Sequence, residues 1–508
     1  MQRWNLIAAR WSLLPSLVVG CGASSSELNQ PGKETGPCVD YECLGDELVC
    51  LSDLCVNPNA TPESSDEAGP STATTTADTN DATTDATLTD SVTDSADSTG
   101  GPMPGGGRFD VLFVVDNSSN MADEQLELAR AAVAWVNRLQ TEAPSADLQL
   151  MITTTDRGNP LCTVFQPDGY EPADGEPTVT GCNQRIHHFT GLGSNPVVAE
   201  YACTMVCPTD VEPSDPFIAF GPQGSNVPDG PEVDVDGDGT PDSPVAQAAA
   251  CLLPQGINGC GYETPLESML QALNPDADWN AGERPFLRSD ANLAIVILTD
   301  EEDCSVEDFS IMNDPSYQEI DPNTGETEPS SAICWNAGIA CDGPNGGIYS
   351  NCEALDNGNL WSLSRYVGYI VGELVGAQAK RVDFFVIAGV PQVTAYDPDP
   401  PFGPTAGGLP DLVVRDWEDG QYPAGDILPS EYAVGIGADD KQFAFGVGPA
   451  CTGEDPSGVV NRQAVPALRL FGVCQAIDDG GESRCFIDSI CNATYDGAFG
   501  ALFGSVTQ

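Results

Sequence analysis

Basic residues are scarce in this chain: 18 Lys and Arg stand against 77 Asp and Glu, a formal charge of −59. A surface so acidic repels phosphate backbones, which argues against nucleic acid as a partner, and it attracts cations and basic groups instead. The plainer consequence of the excess is solubility. Histidine is scarcer still, with only the adjacent pair His187 and His188, whose side chains would point in different directions on a strand. His-Glu-x-x-His, Gly-x-Ser-x-Gly and Walker-type phosphate loops are absent. Acidic pairs are so common that no single carboxylate dyad is specific. Together these gaps argue against an enzyme. With 41% apolar residues, the chain nevertheless has enough material for a sizeable core.

What is present starts at the N-terminus. Arg3 and Arg10 precede the apolar run 11–20, which is too short to cross a bilayer, a span of about twenty residues. The run suits a cleaved secretory signal over 1–20. Val18-Val19-Gly20-Cys21 resembles a bacterial lipobox, in which the cysteine is acylated and becomes the new N-terminus. Lipidation of Cys21 would also leave 18 of the 19 cysteines, an even set suited to disulfides in an oxidising compartment. Gly22 and Ala23 lack the acidic character of an inner-membrane retention signal, so outer-membrane display in a Gram-negative bacterium is expected, with the lipid as the membrane anchor. Residues 21–60 hold a small Cys-rich segment, Cys38-x4-Cys43-x6-Cys50-x4-Cys55, which disulfides would have to hold; a zinc knuckle fits less well without a nearby histidine or CxxC spacing. Residues 61–107, rich in Thr, Ser, Asp, Ala and Gly, read as an extended linker.

Order begins at 108 and runs to 508. Strands are predicted at 109–115, 147–154, 292–299 and 382–390, and helices at 122–139, 265–273, 360–377 and 495–506. The alternation predicts an α/β fold, a doubly wound, mostly parallel sheet with helices on both faces. About a hundred residues separate the second strand from the helix at Pro265. Six cysteines in that stretch, of the 14 between Cys162 and Cys491, suggest disulfide-rich insertions carrying up to seven bridges.

Ligands in such sheets gather at the carboxyl ends of the strands. The first strand ends in Asp116-Asn117-Ser118-Ser119-Asn120, a later one in Thr299-Asp300-Glu301-Glu302-Asp303, and Gly261-Tyr262-Glu263-Thr264-Pro265 opens a helix between them. Here the chain resembles the von Willebrand factor A family, whose metal-ion-dependent adhesion site uses an Asp-x-Ser-x-Ser loop, a Thr and a later Asp. The resemblance assigns Asp116, Ser118, Asn120, Thr264 and Asp300 to an Mg²⁺ site, with Mn²⁺ or Ca²⁺ as alternatives. Asn120 stands where the family has Ser, Glu301 replaces a frequent Gly, and Thr264 is placed only by its position before a helix. The competing reading is that Asp116 and Ser118 simply cap the first helix.

A second acidic run, Asp234, Asp236, Asp238, Thr240 and Asp242, has the alternate carboxylates and glycine of an EF-hand-like loop. It resembles the aspartate-rich loops of thrombospondin type 3 repeats. Val245 occupies the position of the bidentate Glu, so a structural Ca²⁺ or an ion-free acidic turn is expected. The whole arrangement resembles Cys-rich bacterial lipoproteins of the myxobacterial type. It implies metal-ion-dependent adhesion or recognition of a surface protein, extracellular protein or matrix ligand. The alternative is an envelope or matrix component whose metals are purely structural.

Overall fold

A computed structural model of the chain describes residues 49–51, 54–56, 107–163, 166–192, 196–356, 359–398, 402–420, 437–454, 460–478 and 483–507. Cys21, residues 61–106 and the bridges expected among Cys38, Cys43, Cys50 and Cys55 lie outside what is described. Within that Cys-rich segment, Val49–Leu51 and Leu54–Val56 pair as an antiparallel hairpin.

Seven strands form the central sheet: β1 Arg108–Val115, β2 Asp147–Thr154, β3 Ile218–Gly221, β4 Gly224–Ser225, β5 Asn292–Leu298, β6 Val382–Ala388 and β7 Ser483–Ser489. Their spatial order is β7-β6-β5-β1-β2-β3-β4. The five long strands are parallel, and only the β3–β4 hairpin at one edge runs antiparallel. Because β1 and β5 are central, both of their faces are covered. Val111, Phe113 and Val115 enter one hydrophobic cluster, and Leu112 and Val114 the other. A charged residue sits inside β1 only because it is neutralised: Asp110 accepts from Arg288 Nε at 2.7 Å and from its backbone N–H at 2.8 Å.

Helices of the described residues include α1 Ala122–Glu142, α2 Pro244–Leu252, α3 Pro265–Ala272, α4 Ala332–Gly338, α5 Leu363–Val367, α6 Leu468–Ile477 and α7 Asp496–Thr507. Side chains of α1, α2 and α7 fill the first cluster, with Phe499 of α7 6.2 Å from Phe113 and 6.0 Å from Trp135, centroid to centroid. Those of α3, α5 and α6 fill the second. The result is a three-layer α/β domain. The helix expected over 360–377 starts later, where the Ser362 hydroxyl accepts from the Ser364 N–H, and beyond α5 it widens into a π-helix, Gly368–Ala377. The widening coincides with Gly368, Gly372 and Gly376, a poor sequence for tight helical winding.

All 14 cysteines from Cys162 to Cys491 are paired, in seven disulfides. Cys162–Cys260, Cys182–Cys203 and Cys207–Cys251 fold the connection between β2 and β5 back on itself. Cys304–Cys334 ties the loop after β5 to α4, and Cys474–Cys485 ties α6 to β7. The long connections therefore act as braced insertions seated on the sheet. Among the described residues, no helix is long and apolar enough to cross a membrane.

Candidate metal centre

The chain runs from β1 through α1 to β2 on one side, then crosses back to lay β5, β6 and β7 on the other. The direction of winding thus reverses between β1 and β5, and the crevice outside their carboxyl ends is where such a sheet binds ligands. Asp116 is the first residue beyond β1, and its N–H donates to Leu298 O, the last carbonyl of β5, at 3.0 Å. This one bond fixes the two strand ends side by side, although Asp116 and Asp300 lie 184 positions apart in sequence.

The residues of the crevice are joined by hydrogen bonds. Asp116 Oδ1 accepts from the Ser118 N–H at 2.8 Å, and its Oδ2 from Thr299 Oγ1 at 2.6 Å. Ser118 Oγ donates to Asn120 Oδ1 at 3.1 Å, and Asn120 Nδ2 donates to Asp300 Oδ2 at 2.5 Å. Asp116, Ser118, Asn120 and Asp300 therefore form one connected group. Asn120 is exposed, whereas the other three are buried. Thr264, also buried, joins from the side: its hydroxyl donates to Thr155 O, just past β2, at 2.6 Å. That leaves the hydroxyl oxygen's lone pairs available to an acceptor-seeking group such as a cation. Thr264 makes no side-chain cap to α3, and α1 is likewise capped by no side chain, its N-cap position falling to Met121. Helix capping is thus not what Asp116, Ser118 and Thr264 do.

Three further carboxylates stand around this group. Glu263, adjacent to Thr264, accepts from Thr155 Oγ1; Glu301 follows Asp300 and hydrogen-bonds to the Ser331 side chain; Glu124 lies in the first turn of α1. All are buried. Among the described residues, the one guanidinium paired with them is Arg462, 3.3 Å from Glu124. Five buried carboxylates therefore share a single ion-pair partner. Burial, before any other cause, raises the pKa of Asp116, and it raises Asp300, Glu263 and Glu301 well above the carboxylate range, with mutual repulsion adding to the last three. Glu124 is pushed up by burial to about 8 even though Arg462 opposes the shift. Among the described residues, Asp300 Oδ1, Glu263 Oε1 and Glu124 Oε2 meet no hydrogen-bond partner. Such a group must either hold protons or hold a cation, because unpaired buried charge is strongly unfavourable.

The neighbouring residues of the same acidic run do other work. Glu302 accepts from the backbone N–H groups of Leu468 and Arg469 at the start of α6, at 2.7 and 3.1 Å. Asp303 pairs with fully buried Arg469 at 3.0 Å and accepts from the Leu266 N–H at 3.1 Å. Four consecutive acidic residues thus divide between the crevice (Asp300, Glu301) and helix anchoring (Glu302, Asp303).

No family model and no curated protein matches the chain.

Among the described residues, two groups of three potential ligands bring their atoms within 4.8 Å of one another. One contains Cys207 and Cys251, which are bonded to each other and so are not thiolate ligands. The other is Asp234, Asp236 and Asp242, three of the five residues expected in the calcium-type loop. Asp242 is buried and held by Val235 N–H at 2.7 Å and by Asn137 Nδ2 of α1 at 2.5 Å. Asp238 stays out of that group, its carboxylate accepting from the Thr240 N–H at 2.6 Å. Both intervening glycines, Gly237 and Gly239, take positive φ, at 86° and 89°, as the tight loop requires. His187 and His188 lie on a short 3₁₀ turn, Ile186–Phe189, instead of a strand. Burial, then His187 and Arg185, push His188 down to about 4.

Sequence reasoning named Asp116, Ser118, Asn120 and Asp300, which the fold brings together, and Thr264, which flanks them. It did not assign Glu263, Glu301, Glu124 or Arg462. Glu263 and Glu301 stood beside the named ligands, and their neighbourhood was the available signal. Arg462 carried none, since no local pattern links it to Glu124.

Proposed function

We propose that the crevice between β1 and β5 binds a divalent cation through Asp116, Ser118, Asn120, Thr264 and Asp300, and that the domain is a von Willebrand factor A-like recognition module. The observation that carries this reading is the excess of buried carboxylates over guanidinium at the point where the sheet reverses direction. Hydroxyl and carboxylate oxygens suit Mg²⁺ or Mn²⁺, hard ions that bind oxygen and retain some water. Asn120 would supply its carbonyl oxygen by turning its amide away from Asp300. As the exposed member, it marks the side from which a partner would approach.

Exposed apolar side chains between 197 and 205 support recognition over a purely structural role. Val197, Val198 and Met205 are exposed, and Tyr201 among them donates through its hydroxyl to Asp123 of α1 at 2.7 Å, one turn from Asn120. With Cys21 acylated and residues 61–107 as a stalk, these side chains would be displayed to surface or matrix partners beyond the outer membrane. The structural alternative is favoured by the burial of Asp116, Ser118, Thr264 and Asp300, which leaves little of the ion open.

Calorimetry with Mg²⁺ and Mn²⁺ tests the site, on full-length protein carrying Asp234→Asn and Asp236→Asn so that the other loop does not contribute. Asp116→Ala should abolish binding at the crevice while leaving the fold intact. Unchanged binding in Asp116→Ala refutes the assignment. Attachment of the purified protein to bacterial envelopes, compared in Mg²⁺ and in EDTA, separates the two roles: equal attachment favours the structural one. Mass spectrometry of the native N-terminus, with acylated Cys21 expected, tests the anchor.

A further inference from the structure

A single cation at Asp116 and Asp300 leaves part of the crevice unaccounted for. Arg462 serves Glu124, and the cation would serve the two aspartates. Glu263 and Glu301 then remain as two buried carboxylates with no ion-pair partner among the described residues. They stand on different loops, and the charge of Glu301 acts on both Glu263 and Tyr262. The N–H of Cys304 donates to Glu263 O at 2.7 Å, which ties the loop after β5 to the segment before α3. Ser331 Oγ donates to Gly261 O at 2.8 Å, and the same Ser331 side chain hydrogen-bonds Glu301. Glu263, Glu301, Tyr262 and Ser331 are therefore gathered around one junction. Within it, Glu263 Oε1 and Tyr262 Oη are buried without any hydrogen-bond partner, on residues 0% and 3% exposed. Buried polar atoms that lack partners mark a missing ligand or unmet charge.

We infer that Glu263 and Glu301 hold a second hard divalent cation, adjacent to the first, so that the crevice is a two-metal centre. This rests on the first ion occupying the Asp116 group. The oxygen set is carboxylates and hydroxyls with no nitrogen or sulfur, which selects Mn²⁺, Ca²⁺ or Mg²⁺ over softer metals. The charge of one divalent ion matches the two carboxylates left over. The second ion would also brace the loop after β5 against the segment leading into α3, the two walls that set the width of the crevice.

The test uses Mn²⁺ and the full-length protein with Asp234→Asn and Asp236→Asn. Equilibrium binding should give two ions per chain, and electron paramagnetic resonance at two equivalents should show magnetic coupling between them in place of an isolated six-line signal. Glu263→Gln, which keeps the side-chain shape, should reduce the stoichiometry from two to one and restore the isolated signal; Glu301→Gln should do the same and serves if the first variant does not fold. One ion per chain with an isolated signal, unchanged by either substitution, overturns the second site while leaving the first standing. Loss of an ion in Glu263→Gln together with unchanged binding in Asp116→Ala does the reverse, retaining the Glu263 site as a lone one and refuting the Asp116 assignment. No bound Mn²⁺ overturns both.

Discussion

Raising the pH of the metal-free protein should destabilise it, and Mg²⁺ should weaken that dependence. Glu124 and Glu302 are both pushed by burial from an ordinary value of 4.5 to about 8 in the folded state. Below about pH 4.5 both are protonated whether the chain is folded or not, and their contribution to stability is fully present. Above it the unfolded chain releases these protons while the folded chain keeps them, so the contribution is lost as pH rises toward 8. Each group costs about 1.4 kcal/mol per pH unit in that window. From pH 5 to pH 8 that is roughly 4 kcal/mol per group, against a typical total of about 5–15 kcal/mol. Asp300, Glu263 and Glu301, also raised, act in the same direction. A cation on Asp116 removes one of the negative charges that hold Glu124 protonated, whereas Glu302, set against Arg469 and the start of α6, keeps its dependence. The assay is urea unfolding with disulfides intact at pH 5, 6, 7 and 8, in EDTA and in saturating Mg²⁺. Stability in EDTA should fall steadily across the series, and the Mg²⁺ series should fall less, with the gap between them widening toward pH 8 as protons cease to compete for the ligands. Greater stability at pH 8 than at pH 5 in EDTA, or parallel curves in the two conditions, would refute the reasoning.

Arg469→Met should cost about 3–5 kcal/mol in urea unfolding, because it strands Asp303 and Glu302 in the interior; a loss below about 1 kcal/mol would mean that the pair is dispensable. Thiol labelling in denaturant without reductant should find no free cysteine between Cys162 and Cys491, and reduction should lower stability by about 2–4 kcal/mol per bridge. In Ca²⁺ calorimetry, Asp236→Asn should remove binding at the acidic loop, whereas Asp238→Asn should weaken it far less, since Asp238 lies outside the group that Asp234, Asp236 and Asp242 form. Equal effects of the two substitutions would return Asp238 to the ligand set.

The parts of the fold legible in the sequence were those in which both faces of an element are buried. β1, β2, β5 and β6 read as apolar runs because helices cover them above and below, and α1 reads from its periodic Leu128, Ala132, Trp135 and Leu139. β7 was missed for the opposite reason. It is an edge strand of mixed composition, Ser483–Ser489, with Arg484 and Asp488 breaking the pattern, and Asp488 is tolerated inside through Tyr396, Asn492 and the Ser489 N–H. α2 is mostly small residues and is buried from Val245 to Leu252, so no polar face marks it, though its start was marked by Ser243, whose hydroxyl accepts from the Ala246 N–H, and by Pro244. The candidate site divides along the same line. Asp116 and Asp300 could be found because each directly follows an apolar strand, and the strand gives the loop residue its address. Glu124, Glu263 and Arg462 have no such address. In a chain with 77 acidic residues, what distinguishes these few is not their type or spacing but their withdrawal from water, and that depends on insertions folded over the crevice by contacts such as Gly259 N–H to Asn117 O and Val465 N–H to Asp300 O. Periodicity reports burial along strands and helices, where the backbone repeats. It reports nothing along loops, and the unmatched charge of this crevice is carried almost entirely by loops.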